Sequence, residues 1–268
     1  MGLRFNVLGS GSSGNSTLVS DGVTNILVDA GLSGKETARR LGEYGLSPEK
    51  ISAIVVSHDH CDHCRGVAPF VKNLDIPVFM TAAAFDASGI GMNPSKTKRR
   101  AISHRAISPG ESFEIGGIAI TCFSVPHDGV EPLGFVLEKD GVRVGVALDL
   151  GFMSNLVIER MKGCAGIVLE SNHDVSMLKA GPYPWALKQR VMSRNGHLSN
   201  DAVAKYLACD FDGTASHVVL AHLSKNNNLP DLALLSAQKA LEERSDMYCS
   251  QTKLELACSD KISKTYCY

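Results

Sequence analysis

Apolar residues come in short bursts separated by Gly, Asp and Asn, and this spacing predicts many strands. RFNVLG (4–9), STLVS (16–20) and NILVDAG (25–31) read as the first three, with Asp21-Gly22 a hairpin turn between the second and third. Gly34 to Tyr44 has helical spacing, closed by Leu46-Ser47-Pro48. ISAIVVS (51–57) is a continuous β-branched run, the mark of a strand buried on both faces. Gly66 to Leu74 reads as helix and Pro77–Met80 as strand. Strands at about 101–107, 112–124, 132–139 and 142–148 follow, with Asp140-Gly141 at a tight turn. Beyond Asp149 the pattern alternates: strand 165–169, helices 183–192 and 199–208, strand 217–221, helix 230–243, and KLELACS (253–259) as a last strand. The β-rich, helix-punctuated pattern thus occurs twice without a linker. This predicts an α/β fold in which residues 1–268 form a single domain of two helix-covered sheets.

Composition narrows the classes. With 44% apolar residues and a net charge of −1 the chain is not disordered, and its length is ample for a core without disulfide staples. No run of 18 apolar residues exists, so no membrane helix is expected, and the N-terminal sequence lacks a signal-peptide core. The eight irregularly spaced cysteines read as free thiols of a cytoplasmic protein. No global basic excess announces a nucleic-acid partner.

The candidate chemistry is concentrated in a few segments. Gly9-Ser10-Gly11-Ser12-Ser13-Gly14 matches a dinucleotide-binding glycine motif, but strand-like sequence follows where a helix would be needed. A strand-to-strand turn is the simpler reading, with Ser12, Ser13, Asn15 and Ser16 available to an anionic substrate. Ser57-His58-Asp59-His60-Cys61-Asp62-His63-Cys64 directly follows a buried strand. His58 and His60 point the same way in an extended segment, whereas Asp62 and His63 come after the bend. Imidazole and carboxylate together suit zinc and similar first-row metals. Cys61 and Cys64 form a C-x-x-C, so a redox pair or half a zinc ribbon is an alternative, although no second C-x-x-C exists. Further metal-competent residues, His127, Asp149 and His222, each end a strand, where α/β sheets gather their sites.

Asp29 in LVDAG, the S-H-D-H-C-D-H motif, His127, Asp149 and His222 together resemble the metallo-β-lactamase fold superfamily of binuclear hydrolases. The resemblance implies a four-layered αβ/βα sandwich of two mixed β-sheets flanked by helices. It also implies two divalent metal ions (zinc, manganese or iron). His58, His60 and His127 would hold one, Asp62, His63 and His222 the other, and Asp149 would bridge them. Asp29 would orient a ligand histidine. E-S-N-H-D (170–174), G-P-Y-P (181–184), G-H-L-S-N (196–200) and A-H-L-S-K-N-N-N (221–228) are similar to the YycJ/WalJ subfamily of the ribonuclease Z-like phosphodiesterase branch.

That likeness implies a nuclease acting on DNA ends in the 5′-to-3′ direction, with His197 as proton donor supported by Glu170. Asp62 is suited to accept the proton of the attacking water, and the Ser12–Ser16 loop and Asn226-Asn227-Asn228 to hold non-bridging oxygens. The 73 residues from Asp149 to His222 leave no room for the inserted domain of β-CASP nucleases. A local basic stretch, Lys96, Lys98, Arg99, Arg100, His104 and Arg105, is where a nucleic-acid backbone could dock. The alternatives are a hydrolase of the same fold acting on a thioester, lactone or small phosphodiester, and a metal-binding module without activity.

Overall fold

The computed structural model describes residues 2–71, 74–91, 102–244 and 251–268. Its strands form two sheets. The first runs β14 (Tyr266–Cys267), β1 (Arg4–Gly9), β2 (Ser16–Ser20), β3 (Asn25–Val28), β4 (Ala53–Val55), β5 (Val78–Met80) and β6 (His104–Ala106). The second runs β13 (Lys253–Leu256), β12 (His217–Ala221), β11 (Gly166–Glu170), β10 (Val142–Ala147), β9 (Leu133–Lys139), β8 (Ile118–Ser124) and β7 (Ser112–Ile115). Each sheet is mixed. β1, β2 and β3 pair antiparallel and β3 to β6 parallel; β7 to β10 pair antiparallel and β10 to β13 parallel.

The period-2 geometry of a strand explains why these runs are apolar throughout. Val7, Ile26, Val28, Val55, Phe135, Val146, Val168 and Val219 face one shared core between the sheets. Their neighbours Leu8, Leu27, Ile54 and Val56 face outward, packing on Leu41 of α1 (Gly34–Glu43), Val67 and Phe70 of α3 (Val67–Val71) and Ala84 of α4 (Ala82–Ser88). On the other side Ile167, Leu169, Val218 and Leu220 pack on α5 (Asn155–Met161), α8 (Asn200–Cys209) and α9 (Pro230–Glu242). The layers are therefore helix, sheet, sheet, helix, as the family resemblance implied.

Several boundaries differ from expectation. The single strand expected at 112–124 is a hairpin, because Gly116 and Gly117 adopt φ of 56° and 86° and turn the chain. The helix expected to reach Leu74 is described as Val67–Val71, with residues 72–73 outside the described set. The helices α4, α5 and α6 (Val175–Ala180) have too few residues to show a periodic stripe; each starts at a side-chain cap, Thr81, Ser154 or Asp174. The C-terminal segment adds β14 beside β1. No helix among the described residues is long and apolar enough to cross a membrane.

Candidate metal centre and active site

Both sheets direct the C-terminal ends of their parallel strands to one edge. Three residues there, Asp29, Asp149 and His222, adopt left-handed φ of 63°, 57° and 54°. For such residues this conformation is strained by about 1–3 kcal/mol, and it turns each side chain off its strand toward the same point. From the first sheet, the chain leaves β4 through Ser57 and His58 and enters α2 (Cys61–Cys64), with His60 at the helix N-cap.

The sequence-derived ligands converge. One group contains His58, His60, His127 and Asp149; a second contains Asp62, His63, Asp149 and His222; in each, the possible ligand atoms lie within 4.8 Å of one another. Asp149 Oδ2 lies 3.3, 3.2 and 3.4 Å from the Nε2 atoms of His58, His63 and His127. His222 Nε2 stands 3.3 Å from Asp62 Oδ2. The far sides of the rings are fixed: Nδ1 of His63 pairs with Asp29 Oδ2 at 2.7 Å, Nδ1 of His127 with the Gly196 carbonyl at 2.9 Å, and Nδ1 of His58 with Ser57 Oγ at 2.9 Å. Asp29 also accepts from the Ser57 amide (2.7 Å) and hydroxyl (3.0 Å). These partners leave each Nε2 aimed inward with its lone pair available.

The donor set fits divalent cations. His58 Nε2 is buried without a hydrogen-bond partner, Asp149 Oδ1 is shared with His222 Nδ1 at 2.6 Å, and His60 Nδ1 and His127 Nε2 face each other at 3.2 Å. Buried polar atoms are rarely left this way unless something else binds them. Burial opposes the charged forms of His63 and His222, yet the Asp149 carboxylate holds both well above their ordinary pKa. Burial would raise Asp149, but the charges of His222 and His63 hold it well below the usual range. Burial, then the charge of His63, pushes His58 down to about 4.

His197 stands at the edge of this cluster, its Nδ1 2.6 Å from Glu170 Oε1. Glu170 is wholly buried at the end of β11, where Oε2 accepts from the Leu150 and Leu198 amides at 2.7 and 3.1 Å. Its burial raises its pKa, but the charge of His197 and hydrogen bonds from His197 and His222 bring it down to about 2. Burial lowers the His197 pKa, and the Glu170 charge and hydrogen bond more than reverse this, leaving it above its ordinary value. The motifs around them interlock. Ser171 Oγ donates to Asn200 Oδ1, Asn228 Nδ2 donates to the Ser171 and Asn172 carbonyls, and Asn172 Nδ2 donates to the His222 carbonyl.

Beside the cluster lies a cavity of about 390 Å³ lined by Asp62, Asp149, His197, His222, Tyr183 and Asn227, among others. Of the glycine loop Ser12 reaches it, whereas Asn15 and Ser16 turn inward; of the asparagine run Asn227 lines it, whereas Asn228 is buried in the network just described. Sequence reasoning did not single out Ser57, Asn172, or the Asp128–Arg190 pair (2.5 Å) at the rim, whose residue types have many other uses. Cys61 and Cys64 are free thiols outside every cluster, and burial pushes Cys64 up to about 12, so no thiolate pair forms here. In the basic stretch, Lys96, Lys98, Arg99 and Arg100 lie outside the described residues. His104 stacks on Phe85 at 3.9 Å, and Arg105 is exposed over Phe79.

Comparison with known proteins agrees with this geometry. Residues 24–223 match the beta-lactamase superfamily domain. Exodeoxyribonuclease YycJ of Bacillus anthracis is 36% identical over 244 residues, covering 91% of both chains. Exodeoxyribonuclease WalJ of Streptococcus pneumoniae is 33% identical over 245 residues, covering 91% of this chain and 90% of its own. Among solved structures, the metallo-beta-lactamase fold protein YhfI from Bacillus subtilis superposes with a TM-score of 0.72 at 18% identity, covering 98% and 99% of the two chains. The chain belongs to the metallo-β-lactamase superfamily and, within it, to the family of the YycJ and WalJ proteins.

Proposed function

We propose that this chain is a binuclear metal-dependent phosphodiesterase, acting in the cytoplasm as a 5′-to-3′ exonuclease on DNA ends, with residues 1–268 working as one domain. The observation that carries the reading is the His197–Glu170 pair, 2.6 Å apart, with His197 lining the same cavity as Asp62, Asp149 and His222. The exodeoxyribonuclease names of the two relatives support DNA as substrate.

His58, His60 and His127 would hold one ion, Asp62, His63 and His222 the other, with Asp149 shared between them; zinc, manganese and iron all suit imidazole and carboxylate. Bound divalent ions supply a lowered pKa for water and compensation of phosphoryl charge. Asp29 keeps the His63 lone pair directed inward. Asp62 lines the same cavity, and its carboxylate is the group placed to accept the proton of the attacking water. As the phosphorus–oxygen bond to the leaving group breaks, His197 gives its proton to the departing alkoxide and Glu170 stabilises the protonated ring that precedes it.

The test is hydrolysis of end-labelled single- and double-stranded DNA beside bis(p-nitrophenyl) phosphate and a thioester. Release of nucleotides from the 5′ end, abolished by a chelator and restored by metal, is expected. Thioester turnover without DNA turnover overturns the reading.

A further inference from the structure

The glycine loop between β1 and β2 takes no part in the proposed chemistry, yet it touches both halves of the second ligand group. Asn15 is wholly buried. Its Nδ2 lies 3.4 Å from Asp62 Oδ2, 3.4 Å from the Asp62 carbonyl and 3.0 Å from His63 Nε2. Its backbone amide donates to the Asp62 carbonyl at 2.8 Å, and its carbonyl accepts from Gly31 at 2.9 Å. Its Oδ1 accepts from the Gly11 amide at 2.8 Å and from Ser10 Oγ at 3.3 Å. Ser10 Oγ in turn accepts from the His222 amide at 2.6 Å.

The donors and acceptors run in one sense. The His222 N–H donates to the Ser10 hydroxyl, that hydroxyl donates to Asn15 Oδ1, and the Asn15 side-chain amide donates to Asp62 and stands 3.0 Å from His63 Nε2. His222 comes from the second sheet; Asp62 and His63 follow a strand of the first. The bond to the His222 amide also holds that residue in its left-handed conformation. The glycines make the approach possible. Gly14 has φ of 138°, and a Cβ on it would lie 2.6 Å from the Gly31 carbonyl oxygen; one on Gly31 would lie 1.6 Å from the Asp62 carbonyl oxygen.

We propose that Ser10 and Asn15 are positioning residues for the second metal ion, a hydrogen-bonded clamp that sets the spacing of Asp62 and His63 against His222. The inference rests on the two-metal reading above. Groups that orient ligands typically change metal affinity 10–100-fold when removed, so the same loss is expected here, confined to one of the two ions.

The experiment titrates zinc into the chelator-stripped full chain by calorimetry, for wild type, Asn15→Ala, Ser10→Ala and Ser10→Thr, with circular dichroism on each. Asn15→Ala and Ser10→Ala should weaken one equivalent about 10–100-fold and leave the other at its wild-type affinity, while Ser10→Thr, which keeps the hydroxyl, restores it. Equal weakening of both equivalents, or wild-type affinity at both, overturns the clamp. If Asn15→Ala does not fold, the Ser10 pair decides alone. Wild type binding a single equivalent overturns the two-metal reading and the clamp with it. Turnover of DNA tests the proposed activity separately, since the titration needs no substrate.

Discussion

Replacing Glu170 with glutamine isolates the electrostatic part of the proposed proton donor. The change keeps the volume of the side chain and one carbonyl-type oxygen for the Leu150 and Leu198 amides, but removes the charge 2.6 Å from His197. Against an ordinary value of 4.5, a carboxyl held at about 2 favours its ionised form by about 3 kcal/mol. His197 and His222 share that coupling. Burial acts on His197 in the opposite sense and persists in the variant. With the Glu170 charge gone, burial and the His222 charge are opposed by the Asp149 charge alone, and the His197 pKa falls. A general acid works in its protonated form, so the alkaline limb of kcat/KM should move toward acid by roughly one pH unit or more, one unit being about 1.4 kcal/mol. Activity at pH 8 then drops about tenfold or more, and much of it returns near pH 5.5. The assay is a pH–rate profile on DNA and on bis(p-nitrophenyl) phosphate, with metal content measured on the same samples because His222 also touches Glu170. An alkaline limb that stays in place while metal content is retained refutes the assignment.

Other substitutions test the remaining parts. His197→Ala should lower kcat by about 10²–10⁴-fold with metal content unchanged, measured by turnover and elemental analysis. His58→Ala and His222→Ala should each lose bound metal in the same analysis, and most of the activity with it. For the metal-free chain, Asp62 and Glu170 are both held at about 2; such lowered groups add stability above their unfolded pKa values and lose it as pH falls. Thermal melts from pH 5 to pH 2 should therefore show a loss of about 2–3 kcal/mol for each. Gly31→Ala would press a methyl group onto the Asp62 carbonyl and should cost more than about 3 kcal/mol by denaturant melt. Gly42→Ala, with open space around it in α1, should instead stabilise by about 0.5–1 kcal/mol.

The histidine motif was readable in the sequence because its chemistry depends on residue type and its spacing is local: His58, His60, Asp62 and His63 all come within six residues. His127, Asp149 and His222 were readable because each closes a strongly apolar strand. The continuous apolar runs likewise announced strands covered on both faces, and so the layered fold. Less was visible where the signal was tertiary. Ser10 and Asn15 look like ordinary turn residues until the fold brings them against His222 and Asp62. The hairpin at Gly116-Gly117 interrupts a run whose flanks are both strand-like, and α5 and α6 are too short for a periodic pattern.

The two sheets share an apolar core, and apolar contacts hold surfaces together without fixing one against the other. At their common edge the situation differs, because His58 and His222 stand 164 residues apart in the sequence and yet belong to two adjoining groups that share Asp149. In polymer terms, ions held at both ends would close a very long loop. A covalent cross-link over such a loop would remove about 5 kcal/mol of chain entropy from the unfolded state. With the proposed ions bound, a chain whose described cysteines are all free thiols would have in this cluster a reversible substitute for a staple, one that metal supply, rather than redox poise, would tighten or release.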